Sequence, residues 1–271
     1  MSERIIEWLR AASWPVLLLV FLIENLSILG IVILLGSWAT SRFDSRRVSL
    51  PPDPLSSKEV VVALANVLLN TITTLLGLWL WRHGIIKFRI DIGFLALADV
   101  LILLLVMDLL MYVLHRIAHT RVLYSLLHQF HHQYDRPRPL TLFALSPLEN
   151  LAFGGLWLTF ISIYSASWLG MSMYLLLNVL FGAVGHLGVE PIPPGWARKP
   201  MLRNIAGASF HAQHHQGMGH NFGFYTLFWD RVLGTLRSDY ERYYGRVPGW
   251  LEQERGQHGS AAQRLIEPER K

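Results

Sequence analysis

Eight histidines set in three groups constrain this chain more than any other feature: His115 with His119, His128 with His131 and His132, and His211 with His214 and His215. On a helix, residues three and four apart share a face, so HxxxH and HxxHH each aim all of their imidazoles one way. Each group is a small fork of nitrogens. Together with His186, which stands alone between the second and third forks, they offer nine nitrogens, more than one ion takes and enough for two with room for water or oxygen. A workable fold has to bring these four segments to one place.

The rest of the sequence says what kind of fold can do so. Of 271 residues, 52% are hydrophobic and only 16% charged, a balance that points to a membrane protein rather than a soluble domain. Residues 14–38, 60–81 and 93–114 are each apolar over a length that spans hydrocarbon, and 151–189 is too long for one crossing. That last region is interrupted near 167–170 and is expected to form two tightly turned helices. The first span carries Glu24 and Asn25, is longer than a secretory signal core and lacks a small-residue cleavage pattern, so it reads as a retained helix. Trp14, Trp38, Trp79 and Trp81 fall near span ends, where indole rings anchor helices at the interface. The expected class is all-α: a polytopic helical membrane protein with a histidine-rich cap that holds two metal ions on the cytosolic side.

Ligands of one site must lie on one side of the bilayer. If three helices cross in turn and 93–114 ends on the cytoplasmic side, His115 and His119 sit at that surface, and the helical hairpin returns His186 to the same level. The N-terminus then lies outside the cytoplasm. Arg42, Arg46, Arg47 and Lys58 populate the loop that this arrangement makes cytoplasmic, although the opposing loop also carries Arg82, Lys87 and Arg89. The expected organisation is residues 1–92 as N-terminal transmembrane helices, 93–240 as the catalytic domain with its membrane hairpin, and 241–271 as a polar C-terminal tail. Net charge is +5, but the basic residues flank apolar spans, which favours a membrane surface over nucleic acid. With no cysteine in the chain, metal chemistry must rest on nitrogen and oxygen.

Asp108, Tyr112, His115 and His119 follow one another at steps of four, three and four, forming a stripe that runs from the membrane toward the forks. Asp108 and Tyr112 are placed to orient ligands or line the approach, although an acid in a membrane helix also serves packing. Either HxxHH taken alone would be explained as well by a polar helix face; two of them with HxxxH beside membrane spans form a specific pattern. His220 is expected to stand behind the ligands, and His83 and His258 to lie elsewhere on the surface.

The order HxxxH, HxxHH, isolated histidine, HxxHH resembles that of the fatty acid hydroxylase and sterol desaturase superfamily. The likeness is carried by DLLMYVLHRIAH from Asp108, by LHQFHHQYDRPRPLTLFALSPLE from Leu127, and by FHAQHHQGMGHNFGFYTLFWDRVLGT from Phe210, with Asn221, Gly223, Trp229, Asp230, Arg231, Gly234 and Thr235 as landmarks. It covers about residues 95–236. The neighbours of His186 (Gly185, Leu187 and Gly188) lack the polar residues often found there. The resemblance implies a membrane-bound non-haem di-iron oxygenase, with His115, His119, His128, His131, His132, His186, His211, His214 and His215 as metal ligands and Asp108, Tyr112 and Asn221 as catalytic residues beside them. It also implies two iron ions, O2 as co-substrate, a lipid-like substrate from the membrane that is hydroxylated or desaturated, and electrons from a separate ferredoxin- or cytochrome b5-like partner with its reductase.

Other classes fit less well. A metal transporter or store also needs histidines, but transport needs ligands along a path across the bilayer, bis-histidine haem needs paired axial ligands within it, and a zinc hydrolase of the HExxH kind needs a glutamate that no histidine fork here contains.

Overall fold

A computed structural model describes residues 3–197, 199–200 and 202–247. Residues 248–271 of the expected polar tail, and His258 with them, lie outside the described residues. Among those residues the regular structure is helical: α1 (Glu3–Ala11), α2 (Trp14–Arg42), α3 (Ser57–Arg82), α4 (Phe94–Ala118), the single turns α5 (Tyr124–Leu127) and α6 (Gln129–His132), α7 (Pro147–Ile163), α8 (Trp168–Gly185), α9 (Pro194–Ala197), α10 (Ala208–Gln216) and α11 (Phe228–Val232). The all-helical expectation holds.

Among the described residues four helices, α2, α3, α4 and α8, are long and apolar enough to cross a membrane. Their outward faces carry residues such as Leu34, Leu68, Leu105 and Leu176, which are 71%, 51%, 59% and 70% exposed. So much contiguous apolar surface is compatible with lipid and not with water. Trp14, Trp38 and Trp79 are exposed near the helix ends, and the Arg82 guanidinium lies 4.7 Å over the Trp14 ring while donating to the carbonyls of Leu9 and Ala12.

Helix starts are set by short side chains. Ser56, Ser146 and Ser167 each accept a hydrogen bond from the backbone N–H three residues on, capping α3, α7 and α8. Pro147, which has no N–H to leave unpaired, opens α7. The hairpin turn occupies residues 164–167, slightly before the expected break at 167–170, because Ser167 is the cap and Gly170 already belongs to α8. Gly170 serves close packing: a Cβ there would lie 2.6 Å from the Asp99 Cβ.

The long helices pack in a ring, α2 on α3, α3 on α7, α7 on α4, α4 on α8, with α8 touching α2. The 3₁₀ turn Pro139–Phe143 lies against α2, α3 and α8. Its approach to α2 requires Gly36, since a Cβ at that position would come within 2.5 Å of the Pro139 ring. At one end of the ring, Arg89 pairs with the α7–α8 turn through Ala166 and Trp168. At the other, the segments after α2, α4 and α8 meet: Val48 N–H donates to Gly188 O, Thr40 to Leu187 O, and Ser146 to Leu127 O. All three histidine forks and His186 belong to this second end. Tyr240 and Tyr244, the latter beyond the expected start of the tail, pack with Ala206, Phe210 and Leu227 into the cap.

Candidate metal centre

The nine histidines converge. Their nitrogens form one set of five, from His115, His119, His128, His132 and His214, and one of four, from His131, His186, His211 and His215; within each set all ligand atoms lie within 4.8 Å of one another. The division splits each HxxHH fork, whose imidazoles were expected to aim one way, because neighbouring positions such as 131 and 132 point about 100° apart around a helix. In each HxxHH segment the residues four apart, His128 with His132 and His211 with His215, enter the same set, while the middle residues His131 and His214 cross to the opposite one. Each set is thereby assembled from both halves of the cap.

Within the five-nitrogen set, Nε2 of His115 is 2.9 Å from Nε2 of His128, and Nε2 of His214 is 3.2 Å and 3.1 Å from those of His119 and His132. In the other set, His186 Nε2 is 3.4 Å from His131 and 3.0 Å from His211, which is 3.1 Å from His215. Two nitrogens bound at about 2.1 Å and at right angles around one ion are about 3.0 Å apart. The spacing therefore fits ligands gathered around a common centre.

The opposite ring nitrogens explain why Nε2 faces inward. Nδ1 of His115, His131, His186 and His214 lies 2.9, 3.3, 2.7 and 2.7 Å from the carbonyls of Phe222, Ala144, Gly182 and His220. A carbonyl only accepts, so Nδ1 carries the proton and donates, and the Nε2 lone pair is left free for an ion. His128 differs, since its Nδ1 is 2.6 Å from Oε1 of Glu149. Burial disfavours the charged form of the rings, with repulsion from neighbouring imidazoles adding to it at most positions. His119 and His186 are held down to about 4 and His214 to about 3, and His128, His131, His132, His211 and His215 are lowered as well. Neutral imidazoles are what a metal ion requires, and nine of them in two compact sets fit a pair of ions.

The three expected catalytic residues are buried at the edge of this shell, and their hydrogen bonds go to the loop at 221–226 and its neighbours. Asp108 accepts from the N–H groups of Phe224 and Tyr225 and from the Thr226 hydroxyl, at 3.2, 2.8 and 2.5 Å. The Tyr112 hydroxyl is 2.9 Å from Thr235 Oγ1, whose own proton is given to Asp230. Asn221, at φ 61°, donates to Phe210 O and accepts from Arg237 N–H, which fixes the residue after the carbonyl that orients His214. His220 acts through that carbonyl and its side chain is exposed. His83 is exposed and its ring lies 4.3 Å from that of Trp79.

Two carboxylates behind the site were not singled out from the sequence. Asp230 accepts from the N–H groups of Phe222 and Gly223, both at 2.8 Å, and so holds the Phe222 carbonyl toward His115. Gly223 is needed there, because a Cβ would sit 2.5 Å from the Thr226 carbonyl. Asp230 was visible only as a landmark of the third signature. Glu149 sits three residues after Ser146, a spacing that marks a helix start but gives no sign that the carboxylate turns to His128.

Residues 100–235, half of the chain, match the sequence profile described as fatty acid hydroxylase. The chain is 28% identical over 192 residues to the lathosterol oxidase of Mus musculus, covering 67% of this chain and 61% of that protein. It is 24% identical over 160 residues to a Delta(7)-sterol 5(6)-desaturase of Leptosphaeria maculans, covering 59% and 43%. The very-long-chain aldehyde decarbonylase GL1-8 of Oryza sativa subsp. indica is 25% identical over 223 residues, 80% of each chain. Over its sterol-desaturase and lathosterol-oxidase relatives, the match spans about two fifths to three fifths of their length. No solved structure matches the chain. The matched segment runs from within α4 to Thr235 and takes in every histidine of both nitrogen sets, and on that ground this chain belongs to the fatty acid hydroxylase family.

Proposed function

We propose that this protein is a membrane-bound non-haem di-iron oxygenase that uses O2 and external electrons to hydroxylate or desaturate a lipid-like substrate, sterol, fatty acyl or related. The single observation that carries the reading is the convergence of nine neutral imidazoles into adjoining sets of five and four at one end of an apolar helical ring. A pair of bound iron ions would supply the electrons and the oxygen activation that cleavage of an unactivated C–H bond demands.

The chain's own residues supply position and environment. His115, His119, His128, His132 and His214 would hold one ion, and His131, His186, His211 and His215 the other, with Nε2 aimed by the backbone carbonyls behind them. Asp108, Tyr112 and Asn221 act here by fixing the 221–226 loop against α4 and α10 rather than by touching the nitrogens. On the membrane side, Phe224 packs 5.2 Å from the His115 ring and 5.4 Å from Phe153, and Tyr225 continues the aromatic wall to Phe181 and Tyr174. Such a wall excludes water and suits an apolar chain arriving from the bilayer. The histidine end is assigned to the cytoplasm, where Arg42, Arg46, Arg47 and Lys58 would lie and where a ferredoxin- or cytochrome b5-like donor and its reductase have access.

The relatives' names favour lipid chemistry over metal storage, since they include oxidase, desaturase and, in Arabidopsis thaliana, methylsterol monooxygenase 2-2. The test has two parts. Purified protein should contain about two irons without the intense Soret absorption of haem, and lipids from cells with the gene should include a species that has gained one oxygen or lost two hydrogens. A haem spectrum, or product formation that survives His131→Ala, ends this reading.

A further inference from the structure

Among the described residues, Glu149 is the one carboxylate hydrogen-bonded to an imidazole of either set. Its surroundings are specific. The side chains of Glu149 and His128 are only 4% and 3% exposed, and Oε1 accepts from His128 Nδ1 at 2.6 Å. Ser146 fixes the backbone on both sides of the pair, its Oγ accepting from Glu149 N–H while donating to Leu127 O, the carbonyl just before His128, and the second carboxylate oxygen, Oε2, is buried without a partner. Four other ligand-set rings, those of His115, His131, His186 and His214, rest on neutral carbonyls, and Nδ1 of His132 and His215 is buried without a partner.

This arrangement treats the two sets differently. Two divalent ions would bring four positive charges into a shell of neutral nitrogens, and among the described residues Glu149 alone brings an acidic group into contact with that shell. A carboxylate behind Nδ1 raises the electron density at Nε2 and makes the ring a stronger donor, an effect that a neutral carbonyl gives only weakly. The benefit falls on the set that already has more nitrogens.

We propose that Glu149 is a positioning residue that makes the two metal sites unequal: through His128 it strengthens the five-nitrogen site, which fills first, and leaves the four-nitrogen site weaker and more exchangeable. The inference rests on the reading that both sets hold metal.

The experiment titrates detergent-purified, metal-free protein with Co(II), following ligand-field absorption and equilibrium dialysis. Wild-type protein takes up two ions in separate steps. Glu149→Gln keeps the volume and an acceptor oxygen, and it weakens the tighter step by about 10–100-fold while leaving the weaker step where it was. His186→Ala removes the weaker step, and the remaining step is still sensitive to Glu149→Gln; His119→Ala depletes the tighter one. Indistinguishable steps in the wild type, a tighter step unmoved by Glu149→Gln, equal weakening of both, or loss of the tighter step in His186→Ala would each overturn the proposal. If Glu149→Gln does not fold, the two histidine variants alone decide which set fills first. Wild-type protein that takes up no Co(II) would instead sink the metal reading itself.

Discussion

The two HxxHH segments carry the same spacing on different backbones. Residues 211–215 lie on one continuous helix, α10, whose N-terminal Ser209 N–H is bonded by the buried carboxylate of Glu190 at 2.8 Å. Residues 129–132 form the single turn α6, with His128 at its junction with α5, and the segment is held from outside by Ser146 and Glu149. Both nonetheless send their outer histidines to one set and the middle one to the other. The same spacing thus accompanies the same sorting of nitrogens on two different backbones, whereas the groups that hold each segment in place belong to distant parts of the chain.

The sharpest way to break this equivalence is to remove the middle histidines. His131→Ala takes one of four nitrogens and His214→Ala one of five, so the first should lose an ion outright and the second retain more metal. Metal analysis of the two purified variants reads the difference, and product formation should fall in both by more than the roughly 10–100-fold that loss of an orienting partner costs. Equal metal content would mean that the middle residues do not cross over.

Acid offers a second comparison, since both segments hold their rings neutral. An unfolded chain takes up imidazole protons near 6.5, whereas the folded one resists until about 4 at His119 and His186 and about 3 at His214. Between those values the unfolded state binds more protons, so metal-free protein should lose stability as pH falls from about 6.5 toward 4 and recover it on return. Thermal unfolding in detergent at a series of pH values checks this, and a flat profile would contradict the buried, neutral shell.

Smaller effects separate the two supports. Glu190→Ala leaves the N–H groups of Ile192 and Ser209 without their acceptor and should cost about 1–3 kcal/mol. Ser146→Ala removes a helix cap and should cost about 1 kcal/mol, with a further loss at the site because Glu149 loses its tether. Denaturation midpoints of the two variants test that order.

Much of this was legible in the residues. Long apolar runs gave the spans, the interruption of 151–189 gave the hairpin, and helical spacing gave the forks, because each rests on local periodicity. The partition into five and four was not legible, since it depends on how α4, α6, α8 and α10 are placed in three dimensions. Glu149 escaped for a related reason: its partner lies 21 residues away, and the Ser-x-x-Glu spacing is satisfied as a helix start whether or not the carboxylate turns elsewhere. Asp108 was readable only as an acid of the third span placed either to orient ligands or to pack, and the fact that its oxygens hold residues 224–226 could be known only once that loop was seen beside α4.

The loop bonded to Asp108 also imposes an order of events. His115 emerges from the ribosome about a hundred residues before His214, and the Phe222 carbonyl that aims its ring comes later still. Neither nitrogen set is complete in a nascent chain that stops short of α10, and His115 is not oriented until Phe222, Gly223 and Asp230 have been made and drawn down beside α4. Assembly of both nitrogen sets must therefore follow synthesis of nearly the whole matched domain, since a chain terminated before residue 211 would carry four nitrogens of the first set and only two of the second.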